Sequence, residues 1–242
     1  MDERELQDRF EAVRARIAGA ARRSGRDGRD VRLVAASKGQ DAATIIRLAG
    51  YWAGRGDRPA FGENYIQESV AKRAEVERLA PGLDLEWHFL GRLQTNKARD
   101  AAGQFRLIHS LDSLRQGLAL QKAGAGGSPE APAQPVLIQI NLGREAQKSG
   151  IPPEDAESLA RDLTRMTRLD VQGLMCLPPE REEAESVRPF FRSLRELRDA
   201  LRPILGRPLP HLSMGMSHDF EIAVEEGATL VRVGTEIFGP RR

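Results

Sequence analysis

Five lysines, Lys38, Lys72, Lys97, Lys122 and Lys148, stand among 37 basic residues; the other 32 are arginine. A chain that meets its ordinary need for positive charge with arginine draws attention to each place where it keeps lysine. Lys38 is the sharpest case. It closes the apolar run Val31-Arg32-Leu33-Val34-Ala35-Ala36-Ser37, which reads as a buried strand. A desolvated amine can lose its proton and attack a carbonyl, whereas a guanidinium stays protonated. Arg232 is the second unusual residue. Alternation along Leu230-Val231-Arg232-Val233-Gly234 puts Leu230, Arg232 and Gly234 on one strand face. A charge on a buried face must be paired or serve a ligand, so the choice is between a neighbouring Glu or Asp and a bound molecule. Two further segments, Ser213-Met214-Gly215-Met216-Ser217 and Gly234-Thr235, combine flexible backbone with hydroxyls. Such segments bring N–H and O–H donors close to a phosphate.

These residues serve one purpose only if the fold gathers them. Strand-like runs centre on Leu33–Ser37, Ala60–Gly62, Trp87–Leu90, Leu107–Ser110, Val136–Asn141, Val171–Met175, Leu212–Met214 and Leu230–Val233. Between them lie helical patterns such as Asn64–Leu79, Ser113–Ala123, Glu154–Met166, Glu183–Leu201 and Phe220–Glu226. Short, continuously apolar strands alternating with helices predict a parallel sheet covered on both faces. Eight such repeats in 242 residues predict an α/β protein, a single (β/α)8 TIM barrel spanning residues 1–242. A doubly wound open sheet is the alternative, but no Gly-x-Gly-x-x-Gly follows a strand. Gly54–Pro59 and Gly124–Pro135 read as mobile connections within the domain. In a barrel the site lies at the carboxyl ends of the strands, with phosphate held after strands seven and eight. Lys38, Asn64, Asn141, Ser213, Arg232, Gly234 and Thr235 then share one rim. A lysine amine, a phosphate cradle and a buried arginine fit pyridoxal 5'-phosphate, with Lys38 as Schiff base and Arg232 at the pyridine nitrogen. An aldolase-type barrel acting on a phosphorylated sugar would use the same parts.

Composition removes other classes. The net charge is +2, and the pI near 8.9 reflects arginine richness, so nucleic acid is not an expected partner. No apolar run approaches the ~20 residues of a membrane span. The arginine-rich start resembles a transit peptide only until Asp2, Glu3, Glu5, Asp8 and Glu11 are counted. Leu6, Phe10, Val13 and Ile17 recur at helical spacing, which predicts a folded N-terminal helix and a cytoplasmic protein. Cys176, the only cysteine, reads as a small buried hydrophobe. His88, His109, His211 and His218 lack metal-ligand spacing, so no metal is expected and the histidines read as structural. Trp52 and Trp87 read as packing residues, Lys97 as a rim cap or ion-pair partner, and Glu221, Glu225 and Glu226 as a solvated helix face.

Six stretches together carry a family resemblance. They are Ala36-Ser37-Lys38, Phe61-Gly62-Glu63-Asn64-Tyr65-Ile66-Gln67-Glu68, Trp87-His88-Phe89-Leu90-Gly91-Arg92-Leu93-Gln94-Thr95-Asn96-Lys97, Gly173-Leu174-Met175, Leu212-Ser213-Met214-Gly215-Met216-Ser217 and Val231-Arg232-Val233-Gly234-Thr235-Glu236-Ile237-Phe238-Gly239. From about residue 5 to 240 the chain resembles the pyridoxal phosphate homeostasis protein family, the proline-synthase co-transcribed relatives of the alanine racemase barrel. The resemblance implies a fold-type III pyridoxal-phosphate barrel without the racemase's second, β-rich domain. It implies that Lys38 carries the cofactor as an internal aldimine and that Ser213, Gly234 and Thr235 hold the phosphate. It places Arg232 at the pyridine nitrogen and Asn64 close to the ring. One departure stands out. The family pattern after strand five is close to Asn-x-Ser/Thr-x-Glu-x-x-Lys-x-Gly, and here Gly143 replaces the hydroxyl residue, which predicts a looser loop.

The expected function is a carrier that maintains vitamin B6 homeostasis without robust catalysis, acting as a monomer and serving apo-enzymes that need the cofactor. The alternative is a single-domain amino-acid racemase. Racemisation needs acid/base groups on both faces of the substrate Cα. Lys38 serves one face; Tyr65 is the only local candidate for the other, and its helical position predicts that it points away. A scaffold with no ligand would have to bury a lysine and an arginine without recompense.

Overall fold

The computed structural model of the chain describes residues 1–126, 132–180 and 183–240. An opening helix, α1 (Glu3–Arg23), precedes eight βα units. These are β1 (Arg32–Ala36) and α2 (Ala42–Ala53), β2 (Ala60–Glu63) and α3 (Ile66–Leu79), β3 (Glu86–Phe89) and α4 (Ala98–Ala101), and β4 (Leu107–Leu111) and α5 (Leu114–Ala125). There follow β5 (Gln134–Ile140) and α6 (Ala156–Leu163), β6 (Leu169–Cys176) and α7 (Arg188–Leu205), β7 (His211–Ser213) and α8 (Phe220–Glu225), and β8 (Leu230–Val233) and α9 (Thr235–Phe238). Each strand pairs in parallel with the next, and β8 closes onto β1 through Leu33 opposite Val231 and Ala35 opposite Val233. The closed eight-stranded barrel is the predicted fold.

Local sequence explains where elements start and stop. Asp2 caps α1 by accepting the Glu5 amide at 2.8 Å, as short acceptors do at helix starts. The stripe Leu6, Phe10, Val13 and Ile17 is buried, each side chain contributing roughly 1.5–3 kcal/mol on transfer from water. Phe10, Trp52, Phe61 and Trp87 form an aromatic file with successive centroids 4.8, 6.1 and 5.8 Å apart, tying α1 and α2 to β2 and β3. The helix expected over Glu183–Leu201 starts later, with Pro189 in its first turn, and ends at Gly206 in the left-handed region, φ 63°.

Three expectations change here. The Gly124–Pro135 connection is shorter than predicted, because α5 runs through Gly124 and Ala125 and β5 already begins at Gln134; residues 127–131 lie outside the described residues. Gly54–Pro59 is tethered rather than free: Arg55 pairs with Glu11, Asp57 with Arg14, and Arg58 with Glu86. Glu221, Glu225 and Glu226 are not a solvated face. The packing of α8 between α1 and α7 sets them against arginines. Glu226 is 5% exposed and accepts from Arg188, Arg192 and Arg195, while Glu221 and Glu225 both take Arg23.

Candidate functional site

The carboxyl end of β1 runs into a tight turn. The Gln40 amide donates to the Ser37 carbonyl at 3.0 Å, and Gly39 adopts φ 76°, which a side chain would strain. Lys38 is the residue before that glycine. It is half-buried, and its Nζ lies 5.5 Å from the centroid of the Tyr65 ring. Tyr65 does not point away as predicted. It caps α3 with extended backbone, φ −129° and ψ 123°, outside the helix, and so swings against Lys38. Asn64 beside it is half-buried, and its carbonyl sits so close to Gly91 that a Cβ there would fall 1.9 Å from the oxygen. Glycine at 91 is what lets the β2 and β3 loops meet.

On the opposite side of the mouth, Gly234 passes over β1: a Cβ would stand 3.1 Å from the Ala36 carbonyl oxygen. The loop after β8 is thereby brought beside the Lys38 turn. Thr235 is exposed and opens α9, where the Ile237 and Phe238 amides bond to the Gly234 carbonyl at 2.9 Å and only the Thr235 and Glu236 amides are left without an acceptor among the described residues. The loop after β7 runs alongside, its Gly215 carbonyl taking the Arg232 amide at 3.0 Å. Gly215 has φ 92°, and a Cβ there would strike Ala223 at 2.6 Å.

Arg232 points into the barrel, as alternation predicts, and is 4% exposed. Its guanidinium donates to Ser213 Oγ at 2.6 Å and to the Cys176 carbonyl at 2.9 Å. Both partners are neutral, and no carboxylate among the described residues lies within ion-pair distance. Burial lowers the Arg232 pKa, and the longer-range help of Cys176 and Asp219 does not offset it. Below it the chain of contacts continues: Ser213 Oγ to His109 Nδ1 at 2.8 Å, and His109 Nε2 to His88 Nδ1 at 2.8 Å. His88 Nε2 then faces Glu86 Oε2 at 3.6 Å, an electrostatic contact too long for a hydrogen bond.

Ser213 has no exposure, and its hydroxyl is engaged by Arg232 and His109. β7 ends at Ser213, which faces inward, and the rim begins in the following loop. Ser217 lies in that loop and was not singled out from sequence. It is 8% exposed, and its hydroxyl has no hydrogen-bond partner among the described residues. The second hydroxyl of the Ser-x-x-x-Ser motif was the available signal. Cys176 is fully buried, its thiol pushed up by burial to about 12, as befits an inert hydrophobe. Lys97 meets Asp100 at 3.7 Å.

The segment after β5 is tethered on both sides of Gly143. Asn141 Nδ2 donates to the Glu145 carbonyl at 2.9 Å, and Lys148 Nζ donates to the Pro178 carbonyl at 2.8 Å. A Cβ at Gly143 would fall 2.6 Å from Pro179 Cγ, so glycine permits this closeness.

The family defined as alanine racemase, N-terminal domain, matches residues 9–242. The pyridoxal phosphate homeostasis protein of Aquifex aeolicus (strain VF5) is 43% identical over 235 residues, covering 97% of this chain and 98% of that one. The chain belongs to the pyridoxal phosphate homeostasis protein family. Solved structures agree. An unknown protein from Bifidobacterium adolescentis superposes with a TM-score of 0.85 at 31% identity, covering 98% of this chain and 97% of its own. PipY of Synechococcus elongatus PCC7942, with PLP bound, gives 0.79 at 32% identity over 97% of this chain and 100% of its own.

Proposed function

We propose that this chain binds pyridoxal 5'-phosphate and serves vitamin B6 homeostasis as a carrier, with Lys38 as the covalent anchor through a Schiff base. The single observation that carries the reading is Arg232: a buried guanidinium with neutral partners only, on the same rim as Lys38 and the glycine loops. The residues fit the cofactor. Gly234 lets the loop after β8 lie close over the Lys38 turn, Ser217 and Thr235 offer hydroxyls, and the Thr235 and Glu236 amides are free to donate. Asn64 borders the ring position. Ser213 acts through Arg232 and supports the far end of the ring.

When bound, pyridoxal phosphate supplies an aldehyde and an electron-withdrawing ring. Arg232 offers the ring nitrogen a hydrogen bond without surrendering its proton, because guanidinium does not titrate in this range. The ring nitrogen then stays unprotonated, and carbanion chemistry is disfavoured. Tyr65 stands beside Lys38, its ring centroid 5.5 Å from Nζ. The unprotonated ring nitrogen favours holding and releasing the cofactor over turning over a substrate.

The same reading makes residues 1–242 one cofactor-binding domain, monomeric and cytoplasmic, handing cofactor to apo-enzymes. Among the described residues no helix is long and apolar enough to cross a membrane, and a lone buried thiol suits a reducing compartment. The test is a spectrum of purified protein with added pyridoxal phosphate, followed by borohydride and peptide mapping. A visible band bleached with label on Lys38 is expected; no band, or label on Lys97 or Lys148, defeats the assignment. Chiral chromatography after long incubation with L-amino acids separates carrier from racemase: D-amino acid formed by the native chain and lost in Lys38→Ala would make it a racemase.

A further inference from the structure

Under the Lys38 turn lies an ion cluster to which cofactor binding assigns no role. Lys72 of α3 has a side chain only 6% exposed. Its Nζ contacts Glu63 Oε1 at 2.7 Å, Glu68 Oε1 at 3.2 Å and the main-chain carbonyl of Ser37 at 2.9 Å. Glu63, the last residue of β2, is wholly buried, and the same Oε1 accepts the Ser37 hydroxyl at 2.6 Å. Glu68 Oε1 accepts the Gly39 amide at 3.0 Å. One cluster thus holds the carbonyl and hydroxyl of residue 37 and the amide of residue 39. The residue between them is Lys38.

Stability alone is a poor explanation. Buried ions cost much of what their attraction returns, and apolar side chains of similar volume often serve a core as well. What ions with several partners supply is geometric definition. Here the definition is spent on three atoms flanking one side chain. The helical spacing of Glu68 and Lys72, four residues apart, lets both reach the turn from α3, while Glu63 reaches it from β2.

We propose that Lys72, with Glu63 and Glu68, positions the Lys38 turn so that the Lys38 amine meets the aldehyde carbon of the cofactor. The proposal rests on the cofactor reading above. In the step it assists, the Lys38 nitrogen bonds to the aldehyde carbon, and the aldehyde oxygen leaves as water with the two amine hydrogens. Lys72 touches neither reacting atom; its own nitrogen is held by two carboxylates and a carbonyl, which keeps it from competing as nucleophile.

The test compares pyridoxal 5'-phosphate with pyridoxine 5'-phosphate, which keeps the phosphate and ring but has an alcohol in place of the aldehyde. In Lys72→Met and Glu68→Ala, borohydride-trapped mass label on Lys38 should accumulate about tenfold more slowly, the cost of a misplaced reacting group. Pyridoxal phosphate should bind correspondingly more weakly, while pyridoxine phosphate binds as to the native chain. Glu68→Gln keeps an acceptor for the Gly39 amide and should restore most of the rate. Equal weakening of both ligands, or unchanged labelling, overturns the proposal, because a merely structural cluster would not distinguish aldehyde from alcohol. If Lys72→Met does not fold, the partly exposed Glu68 variants decide alone. Failure of the native chain to take label on Lys38 overturns the cofactor reading instead, before any variant is made.

Discussion

Arg232 and Ser213 are joined at 2.6 Å, and this contact leaves the Ser213 proton free to point into the barrel interior. A guanidinium only donates, so Ser213 Oγ accepts from Arg232 and keeps its own proton available for His109 Nδ1 at 2.8 Å. In the arrangement that uses every donor, His109 carries its proton on Nε2 and donates to His88 Nδ1, leaving the His88 proton on Nε2, towards Glu86. Both imidazoles are neutral in this arrangement. The interior is a one-way file of donors with a cation at the rim and a carboxylate at the opposite end.

Ser213→Ala should break this file at its first link. Arg232 loses a buried acceptor and His109 a buried donor, a loss of about 2–3 kcal/mol. A urea unfolding curve should show it as a lower midpoint with unchanged slope. Since Ser213 lies below the rim, pyridoxal phosphate and pyridoxal should lose affinity together; a loss confined to the phosphorylated ligand would put Ser213 on the phosphate after all.

Ser217→Ala with Thr235→Val should behave in the opposite way. Each change removes a rim hydroxyl available to a dianion, worth roughly 1.5–3 kcal/mol if fully used. Affinity for pyridoxal phosphate should fall clearly while pyridoxal is little changed. Competition binding with both ligands measures the ratio, and an unchanged ratio would remove both hydroxyls from the phosphate site.

The contrast between Ser213 and Ser217 marks how far sequence carries. Barrel, strand order and the inward turn of Arg232 were legible, because alternation and repeat spacing are local properties. The place of Lys38 just past the end of β1 was legible for the same reason. The depth of Ser213 was not, since it depends on β7 being only three residues long, His211–Ser213. Nor was the grip on Lys38, because Lys72 meets Ser37 across 35 positions of sequence. Tyr65 was misread because a helical pattern starting at Asn64 hides a first residue that is still extended.

Gly143→Ser restores the hydroxyl residue found in the family pattern, yet it should destabilise this chain. Its Cβ would stand 2.6 Å from Pro179 Cγ, and a proline ring yields little. Overpacking of this kind costs about 1–3 kcal/mol. A lower thermal midpoint is expected; equal or higher stability would mean that the loop relaxes freely and that Pro179 exerts no constraint.

Acid should weaken the fold from the histidine range downwards. Burial pulls the pKa of His88 below, and that of His109 well below, the ordinary 6.5, so both stay neutral in the folded chain. The unfolded chain binds their protons first. Stability is therefore fully present above about pH 6.5 and falls as pH drops below it, by roughly 1 kcal/mol per pH unit for each histidine until its folded value is reached. Glu86 adds to the loss at lower pH. Burial opposes its charge, but His88, Arg32 and Arg58 outweigh burial and bring the carboxyl to about 2. Its contribution is present above the ordinary carboxyl value and disappears as pH falls towards 2. Urea midpoints measured from pH 8 to pH 4 should slope downwards below 6.5. His109→Gln, which keeps a polar group without a titrating one, should flatten the slope by about one proton. A flat native profile across this range would mean that one of the two imidazoles is charged in the folded chain and that the proton file does not run from Arg232 to Glu86.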